Sequence, residues 1–412
     1  MHRDSPAEPI AVAGLFLARR MHAYPRIAIA VYLFVILGLV LSSNNMIDRQ
    51  GRPLGYDFSA FWGASYLTLA GRPQDVFDKS QILAAERVAV PQLQVYYRWY
   101  YPPPYQMLIA PLAFLPYPIA YCAFVGLTLL AYLFSLRRLL HLPEAHALLL
   151  AFPGAFICLL QGQNSFLTAA IFAGAILCLR PRPILAGLLL GLLVYKPQFG
   201  ILIPIALAAS DSRRTFVAAA VSCLAFSGIA TMLFGTGLWH DFFDHLSIAF
   251  KLIDDGRKPW EKMPTALVLL RMLGAPDLVA LIAQSVATFT AAAVVVQVWR
   301  RCGPTLLAGA VLVAGTLVAL PYVFDNEMAV LAVPLAILAS DMARRGSLPW
   351  ERAALVAVYV TPLGMVAIAH ATNLQIGFPA LAMTLLLAAR RAFLEGPLPS
   401  PNLVRAAGTV AE

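Results

Sequence analysis

The sequence predicts an all-α fold, a polytopic membrane helical bundle of about 12 transmembrane helices. Hydrophobic residues make up 60% of the 412 residues, and charged residues make up only 12%. A soluble domain carries roughly twice that share of charge on the surface that faces water. Long apolar runs recur along the chain, and arginine-rich segments separate them. Lipid is the solvent that suits such a chain.

Twelve apolar runs are candidate membrane spans, although several are shorter than the ~20 residues of an upright span. They cover residues 27–43, 117–136, 145–160, 164–179, 183–195, 199–210, 215–234, 277–299, 304–320, 327–340, 351–369 and 374–391. We expect residues 1–26 to form a cytoplasmic segment and 396–412 a disordered cytoplasmic tail. The first run lacks a signal-peptide cleavage site, so we expect it to remain as an anchor.

Charge indicates the direction of each span. With the N-terminus in the cytoplasm, the inner segments receive 18 of the 30 Lys and Arg residues but only 8 of the 21 Asp and Glu residues. This is the asymmetry expected of cytoplasmic loops. The stretch 183–210 must then cross an even number of times. Its only break is Tyr195–Gln198, where a proline would separate two short helices on the outer side.

Two long outer loops, about 44–104 and 235–276, hold most of the acids. In the first, apolar residues recur after Asp57 at helical spacing, with Trp62 among them, which predicts an interfacial amphipathic helix. Gly71 would end it. Asp57 then stands at the N-cap, where it either caps the helix or acts as a general base at the mouth of a cavity.

Aromatic residues and prolines fill the end of the first loop, from Tyr96 to Tyr105, and the prolines favour an irregular segment. This segment is either an interfacial aromatic belt or a surface that receives a lipid chain, with Arg98 near its phosphate.

The second loop contains the pattern of an interfacial amphipathic helix over residues 236–256. Its polar face carries His240. That face is either solvated, a site for phosphate or acceptor, or a metal site built from His/Asp pairs four residues apart.

Three short outer turns carry polar residues: Gln161–Asn164, Lys196–Gln198 and Tyr322–Glu327. Lys196 either reaches up to water or holds a phosphate as a compact charge. The acids of the last turn either cap a helix or contact a sugar.

The order of these motifs resembles glycosyltransferase family 87. The residues that carry the resemblance are Tyr56-Asp57-Phe58, Tyr101-Pro102-Pro103, Gly162-Gln163-Asn164, Lys196-Pro197-Gln198 and Pro321-Tyr322…Asp325. It covers about residues 50–340 and implies a GT-C-like transmembrane domain over residues 27–395. It also implies that Asp57 is the catalytic base and that Lys196 contacts the donor phosphate.

The resemblance implies an inverting hexosyltransferase, α-mannosyltransferase-like, which uses a polyprenyl-phosphate sugar as donor and a glycolipid or glycan as acceptor. Arg98 and His240 are further candidates for the phosphate. We expect the substrate cavity to be lined by Tyr56, Trp62, Tyr101, Gln163, Asn164, Gln198 and Asp325. Lysine and arginine can replace the metal of nucleotide-sugar enzymes, so we expect no metal or other cofactor.

The same resemblance implies an integral protein of the bacterial inner membrane, surrounded by membrane lipids, with its active site facing the periplasm or exterior. Nothing in the sequence indicates a nucleic-acid partner. A secondary transporter is an alternative, but the spans are nearly free of charge and show no convincing repeat. A polymerase or ligase of lipid-linked glycans is another alternative, which product length would separate.

Overall fold

The computed structural model describes residues 8–254 and 259–395, with side chains over 22–246 and 259–395. Predictions that concern the first seven residues, residues 255–258 and the tail 396–412 lie outside the described residues. Within the described ranges the chain is helical and has no β-strand; two isolated bridges occur near residues 44–53. The all-α prediction is therefore confirmed.

Seven helices are long and apolar enough to cross a membrane, and four shorter apolar helices accompany them. Eleven of the predicted spans correspond to these helices. The run 145–160 differs, since it forms two short helices broken at Phe152, whose extended backbone precedes Pro153. A residue before proline is pushed out of the helical region, which accounts for the break. The predicted number of about twelve crossings is therefore not confirmed.

The first long loop follows α1 (Glu8–Ser42) and folds onto the bundle as three helices. These are α2 (Phe58–Leu69), α3 (Lys79–Ala89) and α4 (Pro103–Ile109). The predicted helix after Asp57 is present as α2, but nine of its twelve residues are buried, so its interfacial amphipathic character is not confirmed. The expected irregular segment is present from Tyr96 to Pro102, but the prediction was wrong for Pro103 and Pro104, which occupy the first turn of α4, where proline is tolerated.

The middle of the chain consists of shorter elements. These are α5 (Tyr117–Leu136), α6 (Ala145–Ala151), α7 (Pro153–Gln161), α8 (Ser165–Cys178), α9 (Pro183–Leu192) and α10 (Ile203–Ala209). Two 3-10 turns, Leu193–Tyr195 and Pro197–Gly200, separate α9 from α10. The predicted break at Tyr195–Gln198 is thus present.

The C-terminal half contains α11 (Arg213–Phe234), α12 (Gly237–Asp254), α13 (Ala266–Met272), α14 (Asp277–Cys302), α15 (Leu306–Ala319), α16 (Ala332–Arg345), α17 (Pro349–Thr372) and α18 (Gly377–Glu395). The 3-10 turn Asp325–Leu331 leads into α16. All of α15 except Leu306 is buried, so this helix lies at the centre of the bundle. Large apolar side chains on the outer helices are exposed, among them Leu41, Met232 and Phe289, as expected of surfaces that face lipid.

Small residues allow α9 and α11 to pack closely. A Cβ atom on Gly187 would lie 2.3 Å from the Thr215 carbonyl oxygen, and one on Gly191 would lie 2.4 Å from the Ala219 carbonyl oxygen. Glycines four residues apart are the usual means by which membrane helices approach each other this closely. The short α9 is thereby fixed against the long α11, and the turn that follows α9 is fixed with it.

The two ends of the bundle differ in charge. One end, which we call the arginine end, holds ion pairs between predicted inner segments: Arg26–Glu144, Arg345–Glu395, Arg391–Asp341 and Arg391–Glu351. The predicted outer segments meet at the opposite end, around a large cavity. The grouping of segments therefore agrees with the alternation read from the charges.

Candidate active site

The large cavity has a volume of about 900 Å³ and is built from segments far apart in the sequence. Both long outer loops and all three short outer turns contribute to its wall. Eight of the eleven residues expected at a substrate site lie on this wall: Tyr56, Asp57, Arg98, Tyr101, Gln163, Lys196, Gln198 and Asp325. The remaining three, Trp62, Asn164 and His240, do not.

Asp57 immediately precedes α2, after a turn in which Gly55 has φ +66°. Its backbone N–H donates to the Gln161 carbonyl oxygen at 3.1 Å. The side chain does not cap the helix, so the capping alternative does not hold. Instead, the Gln163 amide donates to Asp57 Oδ2 at 2.8 Å, and Gln163 Oε1 accepts from the Tyr101 hydroxyl at 3.1 Å. The carboxylate is therefore oriented toward the cavity by a neutral amide.

A second cavity carboxylate, Asp325, is held by the same turn. Gln161 Nε2 donates to Asp325 Oδ2 at 3.1 Å, and Gln161 Oε1 accepts from Asn326 at 3.0 Å. Gly162 joins the two glutamines with φ +66°, and a Cβ atom there would lie 2.6 Å from Phe58 Cβ. Only glycine suits such a left-handed and crowded position. One three-residue turn thus supports both acids.

Lys196 is buried, with 3% of its surface exposed. Its ammonium lies 2.8 Å from Glu327 Oε1 and donates to Asn164 Oδ1 at 3.0 Å. Glu327 also accepts from the Phe324 backbone N–H, which fixes the start of the Asp325–Leu331 turn. A buried ammonium requires such a partner. Lys196 therefore reaches the cavity wall with a carboxylate already beside it, an arrangement that neither of its expected roles anticipated.

Two other cations lie on the wall. Arg98 is exposed, and its guanidinium lies 5.2 Å from the centre of the Tyr96 ring. Lys262 is half-buried, with its ammonium 5.6 Å from the centre of the Tyr56 ring. Among the described residues, neither cation has a carboxylate within ion-pair distance.

Aromatic rings form much of the remaining wall. Tyr56, Tyr97, Tyr100, Tyr101 and Tyr322 all line the cavity. Burial, with a smaller contribution from the charge of Asp57, raises the pKa of both Tyr56 and Tyr97. Burial also raises the pKa of Tyr100 to about 12. These phenols stay neutral at ordinary pH, so they offer apolar ring faces together with hydroxyl donors.

The three expected residues outside the wall have other contacts. Trp62 packs on Tyr66 and donates to the Leu115 carbonyl oxygen. Asn164 Oδ1 accepts a hydrogen bond from the Lys196 ammonium. His240 is exposed on α12. The apolar side of α12, with Phe242 and Leu246, faces the cavity, which leaves the polar side of the helix turned away. The structure therefore places His240 outside the cavity, contrary to expectation.

Sequence reasoning missed two groups. The first is Glu327 as the partner of Lys196. The second is Glu86, fully buried below the wall, which accepts from the Tyr97 backbone N–H at 3.1 Å and from Ser59 at 3.4 Å. Burial raises the pKa of the Glu86 carboxyl from 4.5 to about 8. The only available signal was a charged residue on the apolar face of a short helix.

The described residues contain no group of three or more His, Cys, Asp or Glu side chains that could hold a metal ion. The i,i+4 pairs of α12 do not form such a group over their described part. The polar contacts of the cavity are instead carboxylate, amide, phenol, guanidinium and ammonium groups.

A helical bundle with several membrane-length apolar helices, whose loops enclose a polar, aromatic-lined cavity, defines the class of this protein as an integral membrane protein. The sequence profile of glycosyltransferase family 87 matches residues 99–321, more than half of the chain, and the protein belongs to that family. It is thus a membrane glycosyltransferase. Comparison with curated proteins and with solved structures found no match. The matched range includes Gln163 and Lys196, whereas Asp57 and Asp325 lie on either side of it.

Proposed function

We propose that the protein moves a hexose, with mannose as the proposed sugar, from a polyprenyl-phosphate donor to a glycolipid or glycan acceptor. The transfer takes place on the non-cytoplasmic face of a bacterial cell membrane. The observation that carries the proposal is that Asp57 shares one aromatic-lined cavity with the cations Arg98 and Lys262 and with the Lys196–Glu327 pair.

The cavity offers each reacting group a suitable environment. Aromatic faces and the Asp325 carboxylate suit a sugar, because rings pack on its C–H faces and carboxylates accept from its hydroxyls. Apolar residues at the rim, such as Val95 and Ile201, are exposed and suit an isoprenoid chain. The cations suit a phosphate.

The reaction is a direct displacement at the anomeric carbon. The acceptor oxygen forms a bond to that carbon as its proton passes to Asp57, and the bond from the carbon to the phosphate oxygen breaks. The electron pair of the broken bond leaves with the phosphate, which gains negative charge that the cavity cations stabilise. Attack opposite the leaving group inverts the anomeric configuration. Gln163 keeps Asp57 aimed at the acceptor during this step.

The proposal is tested with purified protein in vesicles and a labelled polyprenyl-phosphate hexose. We expect transfer by the wild type and a loss of about a hundred- to ten-thousand-fold in Asp57→Asn, since the general base is removed. The control is Asp75→Asn, because Asp75 lies in the same loop, outside the cavity, and pairs with Arg72 at 3.4 Å. Folded Asp57→Asn protein with full activity would disprove the role of Asp57.

Two alternatives make different predictions in the same assay. A secondary transporter would move a solute and leave the labelled donor intact, and membership of a glycosyltransferase family argues against it. A polymerase or ligase would consume lipid-linked glycans, so the length of the product separates it from single-sugar transfer.

A further inference from the structure

We propose that Lys262 is the principal contact for the donor phosphate and that Lys196 serves as the internal counter-ion of Glu327. The inference rests on the proposed function and names a phosphate subsite within that cavity. It follows from how the positive charges of the wall are paired.

The ammonium of Lys196 is already engaged. It lies 2.8 Å from Glu327 and 3.0 Å from Asn164 Oδ1, and its side chain is 4% exposed. A phosphate would have to compete with a buried carboxylate for this charge. Displacing Glu327 would leave that carboxylate without its cation, which is costly in a buried site. Lys196 therefore has little net positive charge to offer a second anion.

Lys262 is in the opposite situation. No described carboxylate lies within ion-pair distance of its ammonium, which instead lies over the Tyr56 ring. Tyr56 directly precedes Asp57 in the chain, and Lys262 lines the same cavity as the proposed base. Lys262 is also close enough to interact electrostatically with Asp325. A cation over an aromatic face keeps most of its charge available to an anion.

The backbone at Lys262 is anchored, although it belongs to a long loop. The next residue, Met263, is fully buried in a small cluster with Val268, Trp260 and Phe324. On the other side, the Glu261 carbonyl oxygen accepts from Gln375 Nε2 at 2.7 Å. The backbone of Lys262 is therefore held at the cavity wall by contacts on both sides.

The charge change of the reaction fits this position. A sugar phosphodiester carries one negative charge, and the phosphate monoester that leaves carries close to two near neutral pH. An ammonium with no described carboxylate at ion-pair distance stabilises the leaving form more than the bound donor. Arg98, exposed at the rim, offers a second charge at the entrance to the same cavity.

The test measures binding by the full-length protein in detergent, with native mass spectrometry. The probes are a polyprenyl phosphate and the matching polyprenol, and the quantity is the ratio of their affinities. We expect the wild type to prefer the phosphate and Lys262→Gln to lose about ten-fold or more of that preference. Lys262→Arg should retain most of it. Lys79→Gln is the matched control, because Lys79 also lies over a tyrosine ring but outside the cavity.

A double variant, Lys196→Gln with Glu327→Gln, removes the internal pair together. We expect it to keep the phosphate preference within about two-fold, because the charge it removes is already balanced. Full preference in Lys262→Gln, or a folded double variant that loses the preference, would overturn the inference. Should the double variant not fold, the comparison of Lys262→Gln with Lys262→Arg decides alone. Equal binding of phosphate and alcohol by the wild type would instead refute the proposed donor class.

Discussion

The two ends of this bundle hold their carboxylates with different hydrogen-bond partners. At the arginine end, Asp341 and Glu351 are each in ion pairs with arginines, among them Arg391. At the cavity end, Asp57 and Asp325 accept hydrogen bonds from glutamine amides. A guanidinium neutralises a carboxylate, whereas an amide orients it without cancelling its charge. The arginine end thus pairs its acids with guanidinium groups, whereas the cavity end pairs only Glu327 in this way, with Lys196, and orients Asp57 and Asp325 with amides.

Removal of a buried cation is expected to lower stability at either end, but to lower transfer activity only at the cavity end. Arg391→Met should lower the free energy of unfolding by up to about 3 kcal/mol, because Asp341 and Glu351 lose the buried guanidinium that they share and keep only the more exposed Arg345 and Arg390. Lys196→Met should do the same through Glu327. Thermal unfolding in detergent measures both effects, and transfer activity is compared per folded molecule. Arg391→Met should leave that activity intact, whereas Lys196→Met should lower it.

The control for this pair is Arg213→Met. Arg213 pairs with Asp211 on the surface, with both side chains more than three-quarters exposed. An exposed pair contributes about 0–1 kcal/mol, so we expect no clear change in unfolding. Equal loss of activity in folded Arg391→Met and Lys196→Met protein would mean that the two ends do not differ as described.

Substitution of Gln161 or Gln163, both on the cavity wall, distinguishes an effect on the orientation of Asp57 from an effect on the stability of the fold. Gln163→Leu removes the amide that orients Asp57, and we expect about a ten-fold loss of transfer with little change in unfolding. Gln161→Leu removes the buried amide that bonds both Asp325 Oδ2 and the Asn326 side-chain amide and should lower stability by about 1–3 kcal/mol. Transfer assays and thermal unfolding of both variants provide the measurements. A Gln163→Leu enzyme as fast as wild type would show that Asp57 needs no such support.

Glu86 predicts a pH dependence of stability. Its pKa is about 8 in the folded protein and 4.5 in the reference state, so folding favours the protonated form. Its contribution is fully present below about pH 4.5 and is lost as the pH rises toward about 8. Glu86→Gln should flatten this part of the pH profile of thermal unfolding. A profile identical to that of the wild type would show that Glu86 does not titrate in this range.

The sequence predicts the helices well because apolar runs and prolines act locally. It also predicts which segments meet, because charge alternation is a property of each loop. The pairing of Lys196 with Glu327 was not predictable, since it joins residues far apart in the chain through packing of α8, α9 and the turn before α16. His240 was misplaced for a related reason: periodicity identifies two faces of α12, but only packing decides which of them meets the cavity.

The Gln161–Gln163 turn connects the two cavity acids, Asp325 and Asp57, because its two glutamine side chains each donate a hydrogen bond to one of them. Because Gln161 donates to Asp325 and Gln163 donates to Asp57, a displacement of this one turn would alter the orientation of both carboxylates together.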